Sequence, residues 1–99
     1  DKIEYHGLIL NPATHELSGN GVRLTMGPTE FRLMHFLITH PERVYTRTAL
    51  LDHIWGDHVF LEERTVDVHI GRLRAALEPS GLETYVQTVR GAGYKFARS

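Results

Sequence analysis

The stretch from Glu62 to Pro79, EERTVDVHIGRLRAALEP, constrains the fold more than any other part of the chain. With Ile70 at zero on a wheel of about 100° per residue, Val66, Leu73 and Leu77 fall beside it in a band roughly 40° wide. Opposite that band lie Arg64, Thr65, Val68, Gly71, Arg72 and Ala75. Such a segment is a helix that docks one apolar stripe on a core and leaves its far side to solvent. The far side holds two arginines, a threonine and a valine, with no lysine or glutamate among them. A solvated basic face accounts for that set. So does a DNA major groove, where arginine meets guanine edges and an apolar group meets a thymine methyl.

Composition narrows the classes. At 99 residues the chain makes one domain with a core of its own. It has no cysteine, which removes disulfides and thiolate metal sites. No apolar run approaches the roughly 20 residues of a membrane span, and the start, Asp1-Lys2-Ile3-Glu4, does not resemble a signal peptide. A soluble chain with no membrane partner is expected. The net charge of −1 at first argues against a nucleic-acid partner. Its distribution argues otherwise: residues 1–63 carry five Lys/Arg against nine Asp/Glu, whereas residues 64–99 carry six against three. A binding face needs local potential and not a basic whole. The C-terminal third is therefore the candidate face.

The first 25 residues read as short strands: Ile3–His6, Leu8–Leu10, His15–Leu17 and Val22–Thr25. Gly7, Asn11-Pro12 and Gly19-Asn20-Gly21 separate them, and Asn-Gly is a strong hairpin signal. A small antiparallel meander follows. Met26 to His40 reads as the first long helix, with Pro28 suited to the first helical position, Glu30 in the first turn near the positive dipole end, and Pro41 as the stop. Arg43-Val44-Tyr45 reads as an extended link. Thr46 then caps a second helix from Arg47 to about Trp55, ended by Gly56. Between the second helix and Glu62 lies Asp57-His58-Val59-Phe60-Leu61, whose apolar residues either fold back on the core or meet a partner. After Pro79-Ser80-Gly81, Tyr85–Val89 and Tyr94–Ala97 flank Arg90-Gly91-Ala92-Gly93 as a hairpin with Arg90 at its mouth.

No enzymatic or metal chemistry stands out. His35/His40 and His53/His58 are spaced by five, not the four that stack two ligands on one helical face. No GxSxG or paired-acid pattern appears, and the glycines at 91 and 93 precede a strand and not the helix a phosphate loop needs. Neither a cofactor, a metal nor a catalytic residue is expected. Two short helices, a basic amphipathic helix and a glycine-tipped hairpin form the layout of a winged helix-turn-helix. The third helix then enters the major groove and the hairpin reaches the backbone or the minor groove. A winged-helix interaction module without DNA binding is the alternative, supported by the near-neutral charge and by Gly71.

Four segments carry a family resemblance: Gly27-Pro28-Thr29-Glu30-Phe31, His40–Tyr45, Arg64–Ile70 (RTVDVHI) and Val86–Tyr94 (VQTVRGAGY). Across essentially the whole chain they resemble the effector domain of OmpR/PhoB-type response regulators, nearest the phosphate-regulon branch. The resemblance implies an α+β winged helix-turn-helix with an N-terminal four-stranded antiparallel sheet, three helices and a C-terminal β-hairpin wing over residues 1–99. It also implies a cytoplasmic regulator with a receiver domain before Asp1, tandem homodimers on direct-repeat double-stranded DNA, and contact between the loop at residues 57–61 and the sigma subunit of RNA polymerase.

Carried over position by position, the resemblance sets Arg72 and Val68 against bases in the major groove and Arg90 in the minor groove. It sets Trp55, Arg64, Thr65, His69, Arg74, Thr88 and Tyr94 near phosphates. The recognition helix spans about residues 62–78. Asp57, His58, Val59, Phe60 and Leu61 form the polymerase-contact loop. On the wheel Arg72 faces outward, whereas Arg74 and Asp67 sit on the shoulder; Asp67 is placed to orient Arg64 three residues back. Trp55 is equally placed to anchor the core. At Gly71 relatives of this type often carry arginine, and glycine in mid-helix costs about 1 kcal/mol relative to alanine.

Overall fold

The N-terminal runs pair in sequence order, each strand beside the next. In a computed structural model that describes residues 1–56 and 61–99, β1 (Ile3–Tyr5), β2 (Leu8–Asn11), β3 (Glu16–Gly19) and β4 (Val22–Leu24) form a four-stranded antiparallel sheet. The register sets Leu10 opposite Leu17 and Leu17 opposite Leu24, so these leucines and Leu8 share one buried face. Ile9, Ser18 and Arg23 align on the other, as the two-residue period of a strand requires. At the β3–β4 turn Asn20 and Gly21 both hold positive φ (50° and 80°), the geometry the Asn-Gly pair predicts. His6 and Gly7 repeat it between β1 and β2 (39° and 98°).

Helix α1 (Pro28–Thr39) begins at Pro28, the first helical position expected for it, with Met26 and Gly27 outside the helix, and buries Phe31, Leu33, Met34, Leu37 and Ile38. Arg43–Tyr45 is more than a link: Val44–Tyr45 forms strand β5. Helix α2 (Arg47–Trp55) is capped by Thr46, whose Oγ1 accepts from the Ala49 N–H at 3.0 Å. Helix α3 (Arg64–Leu77) is shorter than the expected 62–78, with Glu62 and Glu63 in the turn before it. Its buried residues are Val66, Ile70, Leu73 and Leu77, the stripe drawn on the wheel.

Two single 3-10 turns, Glu78–Ser80 and Glu83–Tyr85, lead into the hairpin of β6 (Val86–Val89) and β7 (Gly93–Phe96). The hairpin completes a second sheet in the order β5-β7-β6, which ties the wing to the segment that starts α2. Gly93 is required at that junction. Its φ is 144°, and a Cβ there would run into the carbonyl oxygen of Tyr45. One core joins all layers, with Phe96 from the wing packed among Leu33, Met34, Leu50, Ile70 and the sheet leucines. The sheet braces the far end of α3, where Asn20 donates to the Ser80 carbonyl at 3.0 Å and the Tyr85 hydroxyl donates to the His6 carbonyl at 2.6 Å.

Candidate nucleic-acid interface

Because four core residues consume one stripe of α3, the residues between them are forced outward. Val68, Gly71 and Arg72 are exposed, and Val68 leaves 50% of its surface free although its side chain is wholly apolar. Arg72 makes no ion pair among the described residues. At the start of the helix Arg64 is 80% exposed and pairs with Glu62, Nε to Oε1, at 2.5 Å. That pairing corrects the expectation for Asp67, which does not orient Arg64.

Asp67 instead faces two other elements. Its Oδ1 accepts from the Tyr94 hydroxyl of β7 at 2.5 Å, and its Oδ2 accepts from Arg47 Nη1 of α2 at 3.0 Å. The wheel explains why. A shoulder position points toward whatever packs alongside the helix, here strand β7 and helix α2. The Tyr94 ring is buried, and its hydroxyl pKa is pushed up to about 12, first by burial and then by the carboxylate it donates to.

Arg74, the other shoulder residue, is held by the wing. Its Nε and Nη2 both donate to the Val86 carbonyl, at 3.0 and 2.8 Å, and Nη2 also donates to Thr88 Oγ1 at 2.9 Å. The guanidinium lies over the Tyr94 ring, 5.7 Å from its centroid. Arg74 and Thr88 are therefore joined to each other before they meet any ligand. Arg90 is exposed at the end of β6, where the turn through Gly91 and Ala92 begins.

His69 points the other way around the helix. Its Nδ1 lies 2.5 Å from Oε2 of Glu30, which is only 7% exposed and not a free first-turn acid. Trp55 sits over the imidazole with ring centroids 5.2 Å apart and packs against the core edge. Thr65 is half-buried beside Arg64. Leu61 is exposed at 38%, while Asp57, His58, Val59 and Phe60 lie outside the described residues.

Between α2, α3 and the wing opens a cleft of about 440 Å³, bordered by Thr46, Arg47, Glu63, Asp67, Thr88 and Gly91. Arg47 was missed from sequence. It sits in the first turn of α2 and is neutralised by Asp67 and, at 3.7 Å, by Glu63, whose other oxygen accepts from Thr48 at 3.0 Å. A pairing across 20 positions leaves no periodic trace in the chain. Among the described residues no three His, Asp or Glu side chains group closely enough to hold a metal ion.

A helix with an arginine-and-valine face, fixed by its shoulder residues to a glycine-tipped hairpin, invites comparison with known proteins. The family described as "Transcriptional regulatory protein, C terminal" matches residues 20–96. The chain belongs to this family, the OmpR/PhoB type. As a member it is 59% identical over 95 residues to the phosphate regulon transcriptional regulatory protein PhoB of Escherichia coli (strain K12), covering 96% of this chain and 42% of that protein. It is 56% identical to PhoB of Pseudomonas aeruginosa, over 96% and 41%. The chain thus spans about two-fifths of the length of these relatives.

Solved structures agree on the fold of this OmpR/PhoB-type domain. The DNA-binding domain of the response regulator AdeR, in complex with an intercistronic region, superposes with a TM-score of 0.86 at 32% identity, over 98% of this chain and 99% of that one. The Klebsiella pneumoniae RstA DNA-binding domain in complex with the RstA box gives 0.84 at 32%, over 98% and 97%. No described helix is long and apolar enough to cross a membrane.

Proposed function

We propose that this domain binds double-stranded DNA sequence-specifically as the effector of a two-component transcription regulator. The observation that carries the reading is the outward face of α3, with Arg72, which makes no ion pair among the described residues, beside exposed Val68, held next to a wing that bears Arg90. Arg72 would take a guanine edge and Val68 a thymine methyl in the major groove, while Arg90 would enter the minor groove. Arg64, Thr65, His69 through its second ring nitrogen, and Trp55 would lie along one phosphate strand. Arg74, Thr88 and Tyr94 would serve the other side, largely by shaping the wing, since their polar groups already bond one another or Asp67.

The two family relatives solved with DNA support this reading. Residues 1–99 would follow a receiver domain, pair as tandem homodimers on direct repeats, and touch the sigma subunit of RNA polymerase through residues 57–61. The close likeness to PhoB points to a phosphate regulon. The test is selection of bound sites from a random DNA pool, followed by a titration of log K against log salt on the selected site. A defined site and a slope of several units are expected, because neutralised phosphates release counterions. A slope near zero, or no selection, would favour an interaction module without DNA binding.

A further inference from the structure

Asp67 is a carboxylate on a surface that, in the reading above, faces phosphates, so its charge opposes binding. Its geometry shows what it does instead. Its two oxygens take donors from two other elements, Tyr94 of the wing at 2.5 Å and Arg47 of α2 at 3.0 Å. Two turns further along the same shoulder, Arg74 grips β6 through the Val86 carbonyl and Thr88. The helix therefore holds both wing strands, β7 through Asp67 and β6 through Arg74. Reading a major groove with α3 and a minor groove with Arg90 requires a fixed separation between them, since base contacts discriminate only when their donors arrive together.

We propose that Asp67 is a positioning residue that sets the register of the wing against α3, raising specificity at the expense of non-specific affinity. This rests on the joint DNA-reading role of α3 and wing, and the test separates the two. Dissociation constants are measured for a pool-selected site and for a scrambled DNA of equal length, with wild type, Asp67→Ala, Asp67→Asn and Tyr94→Phe.

Asp67→Ala lowers the specific-to-scrambled ratio about tenfold, the factor carried by one charge-assisted hydrogen bond, and leaves scrambled binding equal or tighter. Asp67→Asn keeps a carbonyl acceptor for Tyr94, so its ratio stays within about threefold of wild type. Adding Tyr94→Phe to Asp67→Ala lowers the ratio no further, because the Tyr94–Asp67 bond that Tyr94→Phe removes is already lost in Asp67→Ala. The proposal is overturned if Asp67→Ala keeps the wild-type ratio, if it weakens both DNAs alike, or if Asp67→Asn falls as far as Asp67→Ala. Should Asp67→Ala not fold, Tyr94→Phe alone decides: a tenfold lower ratio supports the proposal and a wild-type ratio overturns it. A wild-type protein that binds both DNAs equally would overturn the DNA-reading role itself.

Discussion

Nδ1 of His69 stands 2.5 Å from Oε2 of Glu30, joining the middle of α3 to the first turn of α1 in a part-buried contact. The bond orients α3 on the core from the side opposite the wing. Replacing Glu30 by Ala leaves the imidazole without its partner and should lower unfolding free energy by about 1–3 kcal/mol. Urea unfolding reads this as a lower midpoint at unchanged slope. A midpoint equal to wild type would mean that the pair contributes nothing to the fold.

Gly71 offers the opposite change. It sits exposed in mid-helix, and a Cβ there meets nothing within 4 Å. Gly71→Ala should therefore raise stability by about 1 kcal/mol through helix propensity alone. Gly71→Arg should also steepen the salt dependence of DNA binding by about one unit, as one more phosphate is neutralised. Thermal melting and a salt titration check the two effects independently.

The two arginines of the phosphate group should part company. Arg74 spends its donors on Val86 and Thr88, so Arg74→Ala should destabilise the fold by about 1–3 kcal/mol and loosen the wing. Among the described residues Arg64 pairs with exposed Glu62 alone, so Arg64→Ala should leave the melting temperature near wild type and flatten the salt slope by about one unit. Equal effects of the two substitutions on melting would contradict the distinction.

Much of this was legible in the chain because the signals are local. The spacing of Val66, Ile70, Leu73 and Leu77 named the buried stripe of α3, and Asn20-Gly21 named its turn. Thr46 named the start of α2. Long-range pairings were not legible. Nothing within a turn of Asp67 reveals Arg47 or Tyr94, and the nearest cation in sequence, Arg64, was the wrong partner. Glu30 fitted a helix start so well that its burial against His69, 39 positions away, had no signature. Strand β5 is two residues long and gains its identity only from β7.

Tyr94 predicts a pH dependence. Its hydroxyl pKa rises from 10.0 to about 12 on folding, so the folded state holds this proton more tightly than the unfolded state. The stabilisation is fully present below about pH 10 and is lost as pH climbs through about 12. Tyr94→Phe should flatten the stability profile in that window, and its tyrosinate absorbance difference from wild type should titrate near the upper value. A difference titrating at the ordinary value would place Tyr94 away from Asp67.

The central claim is that α3 reads bases through its outward face, and Arg72 tests it most directly. Binding of Arg72→Ala is measured on the selected site, on each single-base variant of it, and on scrambled DNA. Arg72→Ala should lose about 1–3 kcal/mol on the selected site, with discrimination relaxed at one base position and retained elsewhere. If Arg72→Ala binds every one of these DNAs as wild type does, α3 is not the recognition helix.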